Sequence, residues 1–284
     1  MSHAAFHSLR SVVAIVALFT AGCGEAPLEP RDPTPGVPHF TVATFNIEAG
    51  KHDDPATVEA IGATHADIVC LEEVTEDWET VVRARYGAEY PNMLFHPGGA
   101  AGLAVLSKQP LVEQEFLPAP NGWHPAWSVY AQTPAGWLNL LLVHLRSLYS
   151  GTGGVVSDYF NWGSDHVIEV KALLTATPSA RSTAMPPPRM VLGDFNEEAN
   201  GEGVRYLESL GFTDVLPLFR PGQFTWRHPS LAGQFTEALD HILYDEAVLP
   251  LNAFVVSRGN SDHIPVVAHF EASRAWPAFA PASP

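Results

Sequence analysis

Short apolar runs that end or begin in amides, carboxylates and histidines constrain this chain more than any other feature. VATF leads into Asn46, ADIVCL into Glu72 and Glu73, and MVLG into Asp194 and Asn196, while Asp262 and His263 stand before IPVVAHF. Each run has the length and the β-branched content of a buried strand. Polar side chains at the tips of core strands are costly unless something gathers them. The same setting four times over predicts that the strand ends converge on one site. Carboxylates, amides and histidines brought together in this way suit a metal-bound phosphate site, and so an enzyme.

The rest of the chain reads as a layered α/β domain. FTVATFNI is the first predicted strand. Asp54 followed by Pro55 marks a helix start, a capping carboxylate before proline at the first helical position, with Val58 and Ile61 facing inward. Glu76 to Tyr86 reads as a helix and GLAVLS as a short buried strand. TPAG between the runs 127–132 and 137–145 is a hairpin signal. Residues 164–177 place Val167, Val170, Leu173 and Leu174 on one helical face. After SAMPPP come strand MVLGDF, helix 203–210, and the strands ALDHILY, AFVVS and IPVVAHF. Helices and strands alternate only in part, which favours a mixed-sheet α/β sandwich over a doubly wound or barrel fold. Neither GxGxxG nor GxxxxGK[ST] follows a strand, so nucleotide-cofactor folds have no support.

The ends of the chain read differently. Arg10, the apolar run 12–19 and Thr20-Ala21-Gly22-Cys23 have the layout of a secretory signal over residues 1–22, and the run is too short to span a membrane. TAGC resembles a bacterial lipobox, so the expectation is an exported lipoprotein anchored through Cys23, with plain secretion as the alternative. Prolines at 27, 30, 33, 35 and 38 make residues 23–38 an extended tether. The folded domain is expected over 39–276 and a fraying tail over 277–284. The second cysteine, Cys70, lies inside an apolar strand, so no structural disulfide is expected. The formal net charge is −16, and three of the fifteen basic residues are lysines. No basic stripe that would track duplex DNA is visible.

Residue types narrow the chemistry. Mg²⁺ takes oxygen ligands, and Asn46 and Glu73 offer an amide and a carboxylate from two strand ends. Alternation sends Glu72 to the opposite face from Glu73, so one of the pair points into the site. Asp194 and Asn196 are two apart and share a side, setting a base and an amide donor against one phosphate. Asp262 and His263 open a strand where a turn residue would suffice. Asp240, charged within ALDHILY, needs a partner, and pairing it with His263 gives a histidine whose tautomer a carboxylate fixes. His241 faces the other way and reads as structural. His144, after LLLV, and Arg146 share a face and suit a leaving group and a phosphate oxygen. His52, His65, His96, His124 and His228 read as ordinary loop or helix-end residues.

Taken in order, TFNIEAG, CLEEV, GLAVLSKQP, LLLVHLRS, GDFNEE, FTW before LDHIL, and SDHIP resemble the endonuclease/exonuclease/phosphatase superfamily, from about Phe40 to Phe270. Its branches include DNase I-like nucleases, abasic-site endonucleases, neutral sphingomyelinases and inositol-polyphosphate phosphatases. The resemblance implies a four-layer α/β/β/α sandwich with two mixed, mainly antiparallel sheets and the site at the mouth between them. It implies Asn46 and Glu73 as metal holders with Asp262 assisting, and Asp194 and Asn196 as positioners of water and phosphate. Asp240 would orient His263, and His144 would face the phosphate. His144 is like the DNase and sphingomyelinase branches, whereas Glu72 stands where many relatives have Gln and His241 where many have Tyr. The expected activity is hydrolysis of phosphoesters with Mg²⁺ or Mn²⁺ by a monomer. A small or lipid-headgroup substrate is favoured by the acidity and by the aromatic loops NGWHPAW and SDYFNW. An extracellular nuclease is the alternative, and an inactive binding module is the reading of another class.

Overall fold

The computed structural model describes residues 26–119, 124–147, 155–177, 186–230, 233–276 and 278–281, with the side chains of 155–164 and of Ser230 left out. The expected signal segment, Cys23, and residues 120–123 around the first aromatic loop lie outside the described residues, whereas SDYFNW, expected as a loop, lies within the helix 155–176. In chain order the elements are β1 (His39–Asn46), α1 (Pro55–Ala63), β2 (Ile68–Glu72), α2 (Glu76–Tyr86), β3 (Asn92–His96), β4 (Leu103–Ser107), β5 (Leu111–Leu117), β6 (Ala126–Thr133) and β7 (Gly136–His144). There follow α3 (Val155–Ala176), β8 (Arg189–Asp194), α4 (Glu202–Ser209), β9 (Thr213–Asp214), α5 (Val215–Phe219), β10 (Trp226–Ser230), β11 (Gly233–Glu237), β12 (Asp240–Tyr244), β13 (Val248–Val255) and β14 (Val266–Ala272).

These strands form two six-stranded sheets, ordered β13-β14-β1-β2-β4-β3 and β5-β6-β7-β8-β12-β9, with β10 and β11 as a separate hairpin. Each large sheet holds one parallel pair, β1 with β2 and β7 with β8, and its other pairings are antiparallel. Period-2 alternation sorts the side chains. Phe40, Val42, Ile68 and Cys70 of one sheet meet Leu140, Leu142, Leu192 and Ile242 of the other in a buried layer between them. The outward residues Val69 and Leu71 pack under Ile61 of α1 and Trp78, Val82 and Tyr86 of α2. Leu141, Val143 and Val191 pack under Val170 and Leu173 of α3 and Val204 and Leu207 of α4. The result is the α/β/β/α sandwich that the resemblance implied.

Local chemistry explains the element ends. The Asp54 carboxylate accepts from the Thr57 N–H at 2.8 Å, and the Thr75 hydroxyl caps α2 through the Trp78 N–H at 3.1 Å. α3 begins nine residues earlier than the apolar stripe predicted, at Val155. The edge strands β3 and β5 and the exposed hairpin β10–β11 carry too much polar surface to stand out as strands in the sequence.

The Pro-rich stretch does not hang free of the domain in its described part. The Leu28 N–H donates to Leu218 and the Arg31 N–H to Leu251, at 2.7 and 3.0 Å. The Arg31 guanidinium pairs with Glu271 at 2.7 Å, and the Thr34 N–H donates to the same carboxylate at 2.8 Å. At the other terminus, Phe279 rests on Tyr130 with ring centroids 4.9 Å apart. Cys70 is buried, and burial first and Glu72 second raise its thiol well above the usual range.

Candidate active site

Strand direction decides where the polar ends meet. β1 and β2 run parallel, β7 and β8 run parallel, and β12 and β14 run against them, so four C-terminal ends and two N-terminal ends share one rim. The inward face of each strand continues past its last apolar residue. After Phe40 and Val42 it carries Thr44 and Asn46, and after Ile68 and Cys70 it carries Glu72. In the second sheet the same face ends in His144, Asp194 and Asp240, and register sets Asp194 directly between the other two.

Asp194 is the hub. Its Oδ1 accepts from the Asn196 N–H at 2.8 Å, and its Oδ2 accepts from the Asn46 amide at 3.1 Å. The Nε2 atoms of His263 and His144 approach that same Oδ2 at 3.4 and 3.5 Å. Burial alone would raise the Asp194 carboxyl, but His263, His144 and the Asn196 N–H together bring it below its ordinary value. His263 Nδ1 faces both Asp240 oxygens, at 2.9 and 3.1 Å. A ring with a carboxylate against each nitrogen is an imidazolium. Burial disfavours that charge, yet Asp240 and Asp194 outweigh it and push the His263 pKa up to about 10.

The loops around this hub are held in sparsely populated conformations. Glu48, Glu73 and Asn196 are three of the four non-glycine residues with positive φ among those described, at 56°, 62° and 50°. Such geometry costs roughly 1–2 kcal/mol per residue and persists where neighbours fix it. Glu73 is fixed by the Asn46 amide at 3.2 Å and the Ala49 N–H at 3.0 Å. Asn196 is fixed by its amide donating to the Leu145 carbonyl at 2.9 Å. Gly193, at φ 135°, packs so closely that a Cβ would strike the Val143 carbonyl. The Ser261 hydroxyl donates to the Asn46 carbonyl at 2.8 Å and accepts the His263 N–H at 3.1 Å, tying the last loop to the first strand.

These residues open into a cavity of about 430 Å³. Its lining includes Glu73, His144, Asp194, Asn196, Asp262 and His263, with Trp226, His228, Phe235 and Leu239. The Trp226 indole N–H donates to Asp262 at 3.0 Å. Among the described lining residues there is no lysine or arginine.

Residues 43–263 match the sequence profile described as the Endonuclease/Exonuclease/phosphatase family. The chain belongs to this family. Hydrolysis of phosphoester bonds with the help of a divalent metal is the family's chemistry, and this chain has a buried cluster of Asp194, Asp240 and His263. Solved structures agree on the fold. An endonuclease/exonuclease/phosphatase from Beutenbergia cavernae is 18% identical with TM-score 0.61, covering 84% of this chain and 72% of that one. The human Nocturnin catalytic domain with bound sulfate is 19% identical with TM-score 0.61, covering 84% and 96%. D. rerio TDP2 complexed with single-strand DNA product is 16% identical with TM-score 0.60, covering 82% and 98%. Among curated proteins, none matches.

Within this endonuclease/exonuclease/phosphatase domain most of the expected residues converge. Asn46, Glu73, His144, Asp194, Asn196, Asp240, Asp262 and His263 all reach the rim. Arg146 does not join them. It lies beyond the end of β7, its guanidinium pairs with Asp165 of α3 at 3.2 Å, and it is absent from the cavity wall. At the Glu72–Glu73 pair the left-handed turn at Glu73 brings its carboxyl to the cavity wall, and Glu72 is absent from that wall. Glu72 is fully buried on the inward face of β2, accepting from the Thr44 hydroxyl at 2.7 Å, and burial first holds its carboxyl well above the ordinary range. His241 is buried between Asp214 at 2.7 Å and the Glu197 carbonyl at 2.9 Å, away from the cavity. Two residues at the site were not assigned to it from the sequence, and His124 was expected to be an ordinary loop residue. Glu48 faces Asp262, and burial and then that charge raise its carboxyl. His124 lies face to face with the His144 ring at 4.2 Å.

Proposed function

We propose that this chain is an exported phosphoester hydrolase that uses Mg²⁺, or Mn²⁺ in its place, on small or lipid-headgroup phosphoesters. One observation carries the reading: a single carboxylate, Asp194, is met by two histidine Nε2 atoms and two amide donors in a cavity walled by acids.

The donor set fits a divalent cation. Glu73, Asp194 and Asp262 would repel a phosphate, and no lysine or arginine among the described lining residues offsets them. Glu73 and Asn46 would hold the ion, with Asp262 beside them. When bound, such a cation neutralises phosphoryl charge and lowers the pKa of a coordinated water. Asp194, Asp240 and His263 also offer donor atoms within 4.8 Å of one another. His263 Nδ1 is committed to Asp240, however, and a doubly protonated ring offers a metal no lone pair, so that trio suits proton handling better than metal holding.

The chain's own residues divide the work. Asp194 lies where it takes the proton of an attacking water, with Asn196 fixing its orientation. His263, charged and oriented by Asp240, donates from Nε2 to a phosphoryl oxygen. His144 donates from the opposite side, where charge develops on the leaving oxygen. His263 thus acts as a donor and not as a base.

The test is hydrolysis of a panel of phosphoesters, starting with a bis-aryl phosphodiester. Excess chelator is expected to abolish turnover and Mg²⁺ or Mn²⁺ to restore it; full activity in chelator refutes the metal assignment. Export and anchoring are part of the same proposal and rest on the segment before residue 24. Cys23→Ala is expected to move the protein from the membrane to the soluble fraction with activity intact. Unchanged fractionation counts against the anchor. A nuclease is the second reading, favoured by the likeness in fold to a TDP2 that holds a single-strand DNA product.

A further inference from the structure

The His124 and His144 rings are nearly parallel, 15° apart, with centroids 4.2 Å from each other. His144 is 5% exposed. The Nδ1 atoms of both rings are buried with no hydrogen-bond partner among the described residues. An imidazole that hydrolysis uses as a donor normally has its second nitrogen held by a carboxylate or carbonyl, as Asp240 holds His263. His144 lacks that partner and has a stacked ring instead.

We propose that His124 is a positioning residue for His144, holding it by face-to-face stacking with its proton on Nε2. The reasoning is one of satisfied and unsatisfied atoms. A proton on Nδ1 of His144 would create a buried N–H with nothing to accept it, whereas a bare Nδ1 lone pair is the lesser loss. On the other side, Nε2 faces Asp194 Oδ2 at 3.5 Å, an acceptor that favours a proton there. Stacking supplies what a hydrogen bond would otherwise give: it fixes the ring plane and keeps water from Nδ1. His124 suits this task because it is itself uncharged at neutral pH. Burial first, and His144 second, lower its pKa to about 4. An uncharged His124 ring stacks on His144 without charge repulsion, and the donor side of His144 stays aimed at the cavity.

This inference rests on the hydrolase reading for its kinetic consequence but not for its structural one. The first measurement is the long-range ¹H–¹⁵N spectrum of histidine-labelled protein, which reports the tautomer of each ring without any substrate. His144 is expected as the Nε2–H form. A proton on Nδ1 overturns the proposal whatever the enzyme hydrolyses. The second measurement compares His124→Phe, which keeps a stacking ring, with His124→Ala, which does not. Phe is expected to retain the His144 tautomer and kcat within about threefold. Ala is expected to mix the tautomers and lower kcat about tenfold, with KM within about twofold. Full kcat and an unmixed Nε2–H signal in His124→Ala overturn the proposal, as does equal damage in the two variants. Absence of phosphoester turnover in a wild-type protein with the expected tautomer refutes the hydrolase reading alone.

Discussion

Whether the GDFN turn can form depends on a missing β-carbon. Gly193 sits at φ 135° with the Val143 carbonyl and the Glu72 carboxyl against it, one residue before the hub carboxylate. Gly193→Ala is therefore expected to destabilise the protein by on the order of 2–4 kcal/mol in chemical denaturation. It should also displace Asp194 and reduce turnover. Gly50→Ala, where a Cβ meets nothing, is the matched control; equal stability of the two variants would show that the close approach is tolerated. At this scale the sequence was informative where chemistry is local. Asp240 stood out as a charge within an apolar strand, and its partner followed from pairing two anomalies. Glu48, His124 and the inward turn of Glu73 were not legible, since two depend on a left-handed backbone and the His124–His144 stack depends on the register of the β6–β7 hairpin. Arg146 misled for the opposite reason. Strand alternation was extended two residues past the point where β7 ends.

At the scale of elements, the loop that carries Asp194 and Asn196 is held from behind by two buried histidines. His241 of β12 bridges Asp214 and the Glu197 carbonyl, and His166 of α3 bridges Glu197 at 3.1 Å and the Arg146 carbonyl at 2.8 Å. Each ring has acceptors at both nitrogens, so each is held as a cation. Burial opposes the charge on His241, but Asp214 raises its pKa to about 9. A pKa raised above the unfolded value of about 6.5 gives stability that is complete below that pH and is lost as pH climbs through about 9. Melting temperature is thus expected to fall by several degrees from about pH 7 to pH 10. His241→Gln should melt lower at neutral pH and show a smaller alkaline fall; parallel curves for the two proteins would contradict the clamp. The strands whose faces are apolar, and helices α1 and α2, could be located from periodicity. β3, β5 and the β10–β11 hairpin could not, because half-exposed strands mix polar and apolar residues on both faces. The hairpin nonetheless supplies Trp226, His228 and Phe235 to the cavity wall.

For the whole molecule, acidity is the property that acts at a distance. With a formal charge of −16 and a cavity wall without lysine or arginine among its described residues, phosphate-rich polymers gain little from approach. Binding of duplex DNA is expected to be weak, with a slope of log K against log salt smaller in magnitude than about 2. Tight, steeply salt-dependent binding, with plasmid nicking faster than turnover of small phosphoesters, would favour the nuclease reading. The layered architecture itself was legible, since mixed strand and helix runs and the ordered polar clusters pointed to one sandwich. The sheet order was not. Nothing local announces that β1 lies between β2 and β14, the second strand and the last.

That neighbourhood has a temporal side. Asn46 and Glu73 are made early, while Asp262 and His263 arrive just ahead of β14, the last strand to be synthesised. Because β14 seats directly against β1, the first strand has no finished sheet around it until β14 has been made. A nascent polypeptide would thus carry most of the reactive groups without the means to assemble them. Hydrolytic competence would come late and all at once, as the C-terminal strand closes on the N-terminal one.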